Sequence, residues 1–198
     1  TVVATDGHRL ALASAAQKTD GVQEVILPRK TILELSKLMS DSDDPVEVEL
    51  SPTQARFSFG GIVLISKLVD GKFPDYTRVI PTTHNKKLLL NRIVLLQALQ
   101  RAAILTNEKF KGVRWMLADG SLKIICSNNE QEEAQEELDV TYAGDALDIG
   151  FNVNYLQDVL NNLECGEVEC ALGDANSSAL ITVPGNDNFK YVVMPMRI

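Results

Sequence analysis

The spacing of apolar and polar residues between positions 21 and 75 predicts a strand, a helix and three further strands. The strands are expected at residues 22–27, 46–50, 56–59 and 61–68, where apolar residues alternate or form short runs. The helix follows Pro28, whose missing N–H costs little in a first helical turn. It is expected to end near Ser40 and to bury an apolar face made of Ile32, Leu35, Leu38 and Met39.

The same order of elements recurs at the end of the chain. Strands are predicted at residues 147–153, 168–172, 179–183 and 191–195, and a helix at residues 154–163. Aligning Val46 with Val168 also pairs Glu47 with Glu169 and Leu50 with Leu172. The repeated order indicates two related domains, which we place at residues 1–76 and 77–198.

The opening of the second repeat indicates what a whole repeat contains. A helix at residues 91–105 precedes strands at residues 111–116, 122–127 and 136–142, and its apolar face is Leu95, Ala98, Leu99, Ala102 and Ala103. A complete repeat therefore has two helices and many antiparallel strands, which gives an α+β fold with helices packed on one face of sheets. By the same comparison, the first copy is expected to be truncated at its N-terminal end.

Composition adds bounds on size and location. The chain has 198 residues, of which 45% are hydrophobic, and this is enough to bury one large core or two smaller ones. No run of about 18 apolar residues predicts a membrane span. Residues 1–6 lack an initiator Met, so we expect a truncated or processed chain. They also lack the basic start of a signal peptide, and with three cysteines, an odd and sparse set, we expect a cytoplasmic protein.

The three cysteines are Cys126, Cys165 and Cys170. An odd, sparse set does not predict a disulfide framework. Cys165 and Cys170 could be metal ligands, but their spacing is not Cys-x-x-Cys and no histidine lies near them in the sequence. Buried free thiols are the favoured interpretation, and no metal or other cofactor is expected.

The segment Asp6-Gly7-His8 combines a turn with ionisable side chains. Asp-Gly between the apolar runs 2–4 and 10–13 predicts a hairpin. His8 is a structural turn residue, a wall of a ligand pocket, or a catalytic base acting with Asp6. The other histidine, His84, lies in a polar loop, and the sequence has no Ser/His/Asp trio and no phosphate-binding loop. Catalysis is therefore the least favoured of the three.

The chain stays apolar almost to its last residue. A strand is predicted to begin at Tyr191, but Pro195 lacks the N–H donor that a regular central strand needs. Methionine is an adaptable side chain, common where proteins receive apolar groups. Met194 and Met196 are therefore either the end of a strand or the lining of a groove.

The net charge of −8 argues against DNA binding, but the charges are segregated. The predicted helices carry most of their charge as basic residues, namely Arg29, Lys30, Lys37, Arg92 and Arg101. Acidic residues concentrate at residues 41–49 and 130–137. This pattern is either ordinary solvated surface or a helical surface that tolerates phosphates. Because no base-reading motif or aromatic platform is present, any DNA contact would be non-specific.

Several motifs resemble those of the bacterial DNA sliding clamp family, the beta subunit of DNA polymerase III. Among them are Ala-Thr-Asp-Gly-His-Arg-Leu-Ala, Lys-Phe-Pro-Asp-Tyr and Tyr-Val-Val-Met-Pro-Met-Arg. They occur in family order at residues 4–11, 72–76, 78–81, 101–105, 107–110, 151–153 and 191–197. The resemblance implies a non-catalytic processivity factor of DNA replication, a ring of two three-domain chains with helices around duplex DNA. This chain would be most of the middle domain and all of the third.

In this family, a pocket between the middle and third domains binds short peptides in which Gln precedes Leu and Phe. Clamp-loader, polymerase and repair proteins carry such peptides. By motif, the resemblance places in this pocket Thr5, Gly7, His8, Arg9, Leu10, Pro74, Arg78, Val79, Tyr155, Asn176, Ser178, Val192, Val193, Met194, Pro195 and Met196. Asn176 departs from the family pattern, which has an apolar residue there, so one wall or the peptide preference is expected to differ.

The resemblance also implies two further surfaces. The DNA-facing residues would be Arg29, Lys30, Lys37 and Arg101, and the ring-closing interface would contain Ile104, Leu105, Glu132 and Glu133. Ring closure joins the third domain to the first domain of a partner, so we expect the present chain alone to be a monomer. An enzyme that uses His8 and Asp6, and a repeat protein without any site, stay open as alternatives.

Overall fold

We analysed a computed structural model that describes residues 1–17, 21–39, 45–107 and 109–197. The chain forms two compact units, Thr1–Ala16 with Tyr76–Ile198, and Gln17–Asp75. The predicted helix end at Ser40, the acidic turn at residues 41–44 and Glu108 of a clamp-like motif lie outside the described residues.

The larger unit contains two antiparallel sheets. Its strands are β1 Val2–Thr5, β2 Arg9–Ala13, β6 Lys86–Asn91, β7 Gly112–Ala118, β8 Ser121–Ser127, β9 Glu133–Asp139, β10 Leu147–Asn152, β11 Glu167–Leu172, β12 Ala179–Val183 and β13 Asn186–Val193. Six of them form one sheet in the order β1-β2-β13-β12-β11-β6, and four form the other in the order β10-β7-β8-β9. A strand occurs at each place predicted in the second repeat, but two of them have other bounds. Strand β9 begins and ends three residues before the predicted 136–142, and β13 begins before the predicted 191–195 and ends at Val193.

The described residues form three α-helices, α1 Arg29–Leu38, α2 Arg92–Ala102 and α3 Val153–Asn161. The first belongs to the smaller unit. Asparagine side chains accept a backbone N–H in the first turn of the other two, Asn91 from Val94 at 3.1 Å and Asn152 from Asn154 at 3.0 Å. Such caps satisfy donors that a helix start leaves free. The helix predicted at residues 91–105 is confirmed, with its last turn as a 3-10 segment, Ala103–Leu105.

The core of the larger unit lies where the helix pair meets both sheets. The second helix packs against the third, and together they contact strands of the six-stranded and the four-stranded sheet. Trp115 and Phe151 pack edge to face at 5.4 Å between ring centroids, both fully buried. The predicted apolar positions Leu95 and Leu99 are also buried there. The predicted α+β class, with helices packed on antiparallel sheets, is therefore confirmed.

The smaller unit packs α1 on a three-stranded sheet. Its strands are β3 Glu47–Leu50, β4 Gln54–Phe59 and β5 Ile62–Lys67. Gly60 and Gly61 make the predicted tight turn, with φ of 50° and 78° that favour glycine. Leu35 packs with Ala55 and Phe57 in its core, so one of the predicted apolar helix positions is buried.

Two predictions about strands differ from the structure. The strand expected at residues 22–27 is wrong, since these residues have no regular structure and Val22 is 93% exposed. The Ile26 carbonyl accepts the Val69 N–H at 2.9 Å, but residues 22–27 form no strand ladder. Strand β6 was not predicted, although Leu88 and Leu90 are buried and Leu89 is exposed, the alternation typical of a strand.

None of the helices in the described part of the chain combines the length and the apolar composition that crossing a membrane requires.

Candidate functional site

The first hairpin lies directly beside the end of the chain. Strand β2 pairs antiparallel with β13, placing Leu10 opposite Val192 and Arg9 opposite Val193. Beyond the strand, the Met194 N–H donates to the His8 carbonyl at 2.8 Å, so the tail is tied to the hairpin turn. We call residues 5–10, 192–196 and Tyr155 the hairpin–tail site.

Local sequence explains the sharp turn. Gly7 has a φ of +86°, in the left-handed region that glycine adopts without strain. Asp6 Oδ1 accepts the N–H groups of His8 and Arg9, both at 3.0 Å. The Thr5 hydroxyl donates to the Arg9 carbonyl at 2.8 Å. The turn is thus closed by the side chains of the two residues that precede its glycine.

Hydrogen bonding also changes the acidity of Asp6. Partial burial alone would raise the pKa of its carboxyl, but the N–H groups of His8 and Arg9 and the Arg9 side chain lower it overall. The carboxylate therefore stays ionised and serves as an acceptor in the turn. The His8 ring stacks on the Tyr155 ring, with centroids 6.4 Å apart, whereas the Asp6 carboxylate accepts hydrogen bonds from the His8 and Arg9 N–H groups and the Arg9 side chain.

The Arg9 side chain connects the turn to a helix and a strand. Its Nε donates to Asp6 at 3.0 Å, and its Nη1 donates to Asp158 of α3 and to the Tyr191 hydroxyl of β13. Its guanidinium carbon lies 4.3 Å from the centroid of the Tyr155 ring. Burial alone would lower the pKa of Arg9, but these hydrogen bonds raise it overall, so the cation is permanent.

Apolar side chains lie next to this polar network. Leu10, Leu12 and Val192 are buried together, with Tyr76 and Ile80 packed against them. Met194 remains 48% exposed and Val79 51% exposed, although both are apolar. An apolar surface with a few fixed polar groups at its edge is the usual composition of a ligand site.

A loop between β11 and β12 carries the predicted Asn176 and Ser178. The Asp174 carboxylate accepts the Asn176 N–H at 2.9 Å, and the Asn176 side chain is exposed. The Ser178 carbonyl lies 2.7 Å from His84 Nε2, and since a carbonyl only accepts, that nitrogen carries the proton. His84 also fills the space beside Gly173, where an added Cβ would lie 2.7 Å from the ring.

Comparison with known proteins identifies the family. Residues 77–197 match the model of the C-terminal domain of the DNA polymerase III beta subunit, and residues 1–75 match the model of its central domain.

The chain belongs to the DNA polymerase III beta subunit family.

Relatives and solved structures agree with this assignment. The Beta sliding clamp of Pseudomonas putida is 50% identical over 198 residues, which cover 99% of this chain and 54% of the relative. That of Escherichia coli K12 is 47% identical over 197 residues, again 54% of its length. A crystal structure of the Pseudomonas aeruginosa DNA polymerase sliding clamp with ligand matches at a TM-score of 0.94 and 49% identity, and covers 99% of this chain and 54% of that one. The chain spans about half the length of the sliding clamps it matches.

Most of the residues of this chain that were predicted to form a peptide site lie close together in the larger unit. The structure brings together the hairpin residues, Tyr155 and the tail, which are far apart in sequence. Arg78 and Val79 follow in the 3-10 segment Tyr76–Val79 of the same unit, next to the buried cluster around Leu10. Pro74 is exposed and belongs to the smaller unit.

Three residues of the hairpin–tail site network were not predicted as site residues. Asp6 was considered only as a turn or catalytic residue, whereas it holds Arg9. Asp158 and Tyr191 also bind Arg9, from 149 and 182 positions away in the sequence. Spacing along the chain gives no signal for such a contact, so these partners are identified only by the folded structure.

The basic residues predicted to face DNA differ in their surroundings. Arg101 is exposed on α2, but it forms a two-pronged ion pair with Glu136 of β9, at 2.8 and 2.6 Å. Arg92, a basic residue of the same helix that was not predicted to face DNA, donates to the carbonyls of Cys165 and Leu160 and is a structural group beside the end of α3. In the smaller unit Arg29, Lys30 and Lys37 are exposed on α1, and Lys37 lies 3.4 Å from Glu34.

The residues predicted for ring closure are on the surface of the larger unit. Ile104 is 78% exposed in the 3-10 segment that also contains Leu105. That segment packs beside β9, the last strand of the four-stranded sheet. Glu133, the first residue of β9, and Glu132 just before it are exposed.

The cysteines are separate from the hairpin–tail site. Burial raises the pKa of Cys126 to about 11 and that of Cys170 to about 12. Thiols that hold their proton so firmly are poor nucleophiles near neutral pH. Both side chains contribute to the core of the larger unit, and Cys165 packs at its edge.

A cavity of about 960 Å³ opens in the smaller unit. It is lined by residues 23–26, 50–54 and 67–71. No group of three or more metal-binding side chains occurs there or elsewhere among the described residues. We assign no chemistry to this cavity.

Proposed function

We propose that this chain is the middle and third domain portion of a bacterial sliding clamp, with domains at residues 1–76 and 77–198. The complete protein would be a non-catalytic, cytoplasmic processivity factor that encircles duplex DNA as a homodimeric ring. It would tether polymerase, clamp-loader and repair proteins through short peptides. Family membership supports the proposal, and 99% of the chain aligns with sliding clamps.

One observation carries the peptide-binding part of the proposal. The turn at residues 5–10 and the tail after β13 are hydrogen-bonded neighbours, through Met194 N–H and the His8 carbonyl. Met194 and Val79 offer exposed apolar groups, while Arg9 and Tyr155 are held in fixed positions close by. A peptide with Leu and Phe side chains would bury this apolar surface, and the polar groups would fix its direction.

The experiment is a titration with a fluorescent peptide that contains Gln-Leu-Ser-Leu-Phe, followed by anisotropy. Met194→Ala and Met196→Ala are expected to weaken binding by about tenfold each, as for central interface residues. Met39→Ala is the matched control, because Met39 is 46% exposed but lies just after α1, outside the hairpin–tail site. The proposal fails if the unmodified protein does not bind the peptide, or if Met39→Ala weakens binding as much.

Ring closure is proposed to use the surface around Ile104, Leu105, Glu132 and Glu133. Strand β9 ends its sheet, so its outer edge can pair with a strand of another chain. The partner surface would be the first domain of a second, complete clamp. The present chain alone is therefore expected to be a monomer, and light scattering that gives a stable dimer would contradict this.

DNA contact is proposed to be weak and non-specific, made by Arg29, Lys30, Lys37 and Arg101. Encirclement, and not tight contact, would hold the duplex. Binding of this chain to linear DNA should therefore be weak and should fall steeply with salt. A tight, salt-independent complex would contradict the proposal.

A further inference from the structure

The Arg9 guanidinium is the point at which three elements of the larger unit meet. Its hydrogen bonds reach Asp6 in the hairpin turn, Asp158 on α3 and Tyr191 on β13. The Arg9 side chain is 27% exposed, so most of its surface is already in contact with the protein. A group held on several sides has little freedom left to follow a ligand.

Two residues one helical turn apart hold this guanidinium from the helix side. Tyr155 and Asp158 are three positions apart on α3, so they lie on the same helix face. The Tyr155 ring lies against the guanidinium, and the Asp158 carboxylate accepts a hydrogen bond from Nη1. The Tyr191 hydroxyl donates to the Tyr155 carbonyl at 3.1 Å, which links this helix face to β13.

The position of Arg9 is transmitted to the tail through His8. The His8 ring stacks on Tyr155, and the His8 carbonyl accepts the Met194 N–H. Any rotation of the turn that follows release of Arg9 would therefore shift the acceptor of Met194. The position of Met194 therefore depends on the Asp158 carboxylate of α3, through the contact of Asp158 with Arg9 and that of His8 with Met194.

We propose that Asp158 is a positioning residue for peptide binding: it fixes Arg9 and so pre-organises the turn and Met194. This inference rests on the proposed function. Asp158 itself is 54% exposed, so its ion pair adds little to folding stability. Asp158 instead keeps the hairpin–tail site ordered before a peptide arrives. A turn that is fixed in advance loses less entropy when a peptide binds.

The arrangement also limits what Arg9 can do in recognition. Two carboxylates, those of Asp6 and Asp158, already accept its hydrogen bonds. Arg9 is therefore not free to capture an acidic side chain of a peptide by a two-pronged contact. A peptide could contact Arg9 only at the exposed edge of its guanidinium, since one face of the group lies against the Tyr155 ring.

The test compares Asp158→Asn with Asp148→Asn. Asp148 also pairs with an arginine, Arg114, across strands β10 and β7 of the same unit, and is similarly exposed. Both changes remove one negative charge with almost no change of shape. Peptide affinity is measured by anisotropy, the exchange rate of the Met194 amide by NMR, and unfolding by the fluorescence of Trp115, the single tryptophan.

Asp158→Asn is expected to weaken peptide binding by about fivefold and to speed exchange of the Met194 amide, while its unfolding matches that of Asp148→Asn. Equal peptide affinity and equal amide exchange in the two variants would overturn the inference. The inference would also be overturned if Asp158→Asn lowered the free energy of unfolding enough to account for the weaker peptide binding. If the unmodified protein binds no peptide, the proposed function fails, and the Met194 exchange rate still decides whether Asp158 orders the site.

Discussion

Leu10 lies opposite Val192 in the antiparallel pair of β2 and β13, and the two side chains are only 3% and 2% exposed. This contact attaches the first hairpin of the chain to its last strand. It is also the buried part of the hairpin–tail site. The stability of the hairpin and the order of the site should therefore depend on the same few apolar groups.

Replacing Leu10 by Ala should destabilise the larger unit by about 3 kcal/mol, because a buried leucine loses its contacts and leaves a cavity. Urea unfolding followed by Trp115 fluorescence measures the change, since Trp115 is in the core of this unit. Leu89→Ala is the control, as Leu89 is 50% exposed on another strand of the same sheet. An equal decrease in the free energy of unfolding for Leu10→Ala and Leu89→Ala would contradict the role assigned to Leu10.

Replacing Gly7 by Ala should lower stability by about 1 kcal/mol and weaken peptide binding. The φ of +86° at Gly7 is unfavourable for a residue with a Cβ, although there is open space around it. Gly166→Ala serves as the matched change, because Gly166 also has open space and no positive φ. Thermal unfolding and the peptide titration should show larger losses of stability and affinity for Gly7→Ala than for Gly166→Ala. A Gly7→Ala variant with unchanged stability and affinity would show that the turn tolerates another conformation.

The carboxyl of Asp6 should titrate below its ordinary value of 3.8 in the folded protein. A pKa that is lower in the folded state stabilises the fold above the unfolded value, and this contribution is lost as the pH falls through the folded value. Carboxyl NMR titration measures it. In Arg9→Met the Asp6 pKa should rise, because one hydrogen bond and one positive charge are removed. An Asp6 pKa unchanged by Arg9→Met would mean that the ion pair does not form in solution.

Replacing Glu136 by Gln should strengthen weak, non-specific DNA binding. Arg101 donates two hydrogen bonds to the Glu136 carboxylate, and this ion pair competes with phosphate for the guanidinium. Glu136→Gln removes the negative charge and so frees Arg101 to contact phosphate. Fluorescence anisotropy with duplex DNA at several salt concentrations should give a slope of log K against log salt steeper by up to about 0.9 for one added phosphate contact.

Glu130→Gln is the control for net charge, since Glu130 is an exposed residue of the same acidic stretch, just before β9. If both variants raise DNA affinity equally, the gain comes from net charge alone. In that case Arg101 would not face the phosphates.

Local patterns along the chain were enough to locate most of the elements. Period-two alternation and helical spacing are local properties, so residues 91–105 and the strands from β7 to β13 could be placed without a structure. The hairpin also followed from a local signal, because Asp-Gly between apolar runs has few other stable conformations. Residues 22–27 show the limit, since their alternation lacks the neighbouring strand that would bury it.

How the candidate site is held together emerged from the packing of distant segments. The motifs pointed to the hairpin, Tyr155 and the tail, but Asp158 and Tyr191 joined them through contacts that span most of the chain. The pairing of Arg101 with Glu136, which alters a predicted DNA contact, arose in the same way. Hydrogen bonds between distant residues depend on how strands and helices pack, and no periodicity along the chain records that packing.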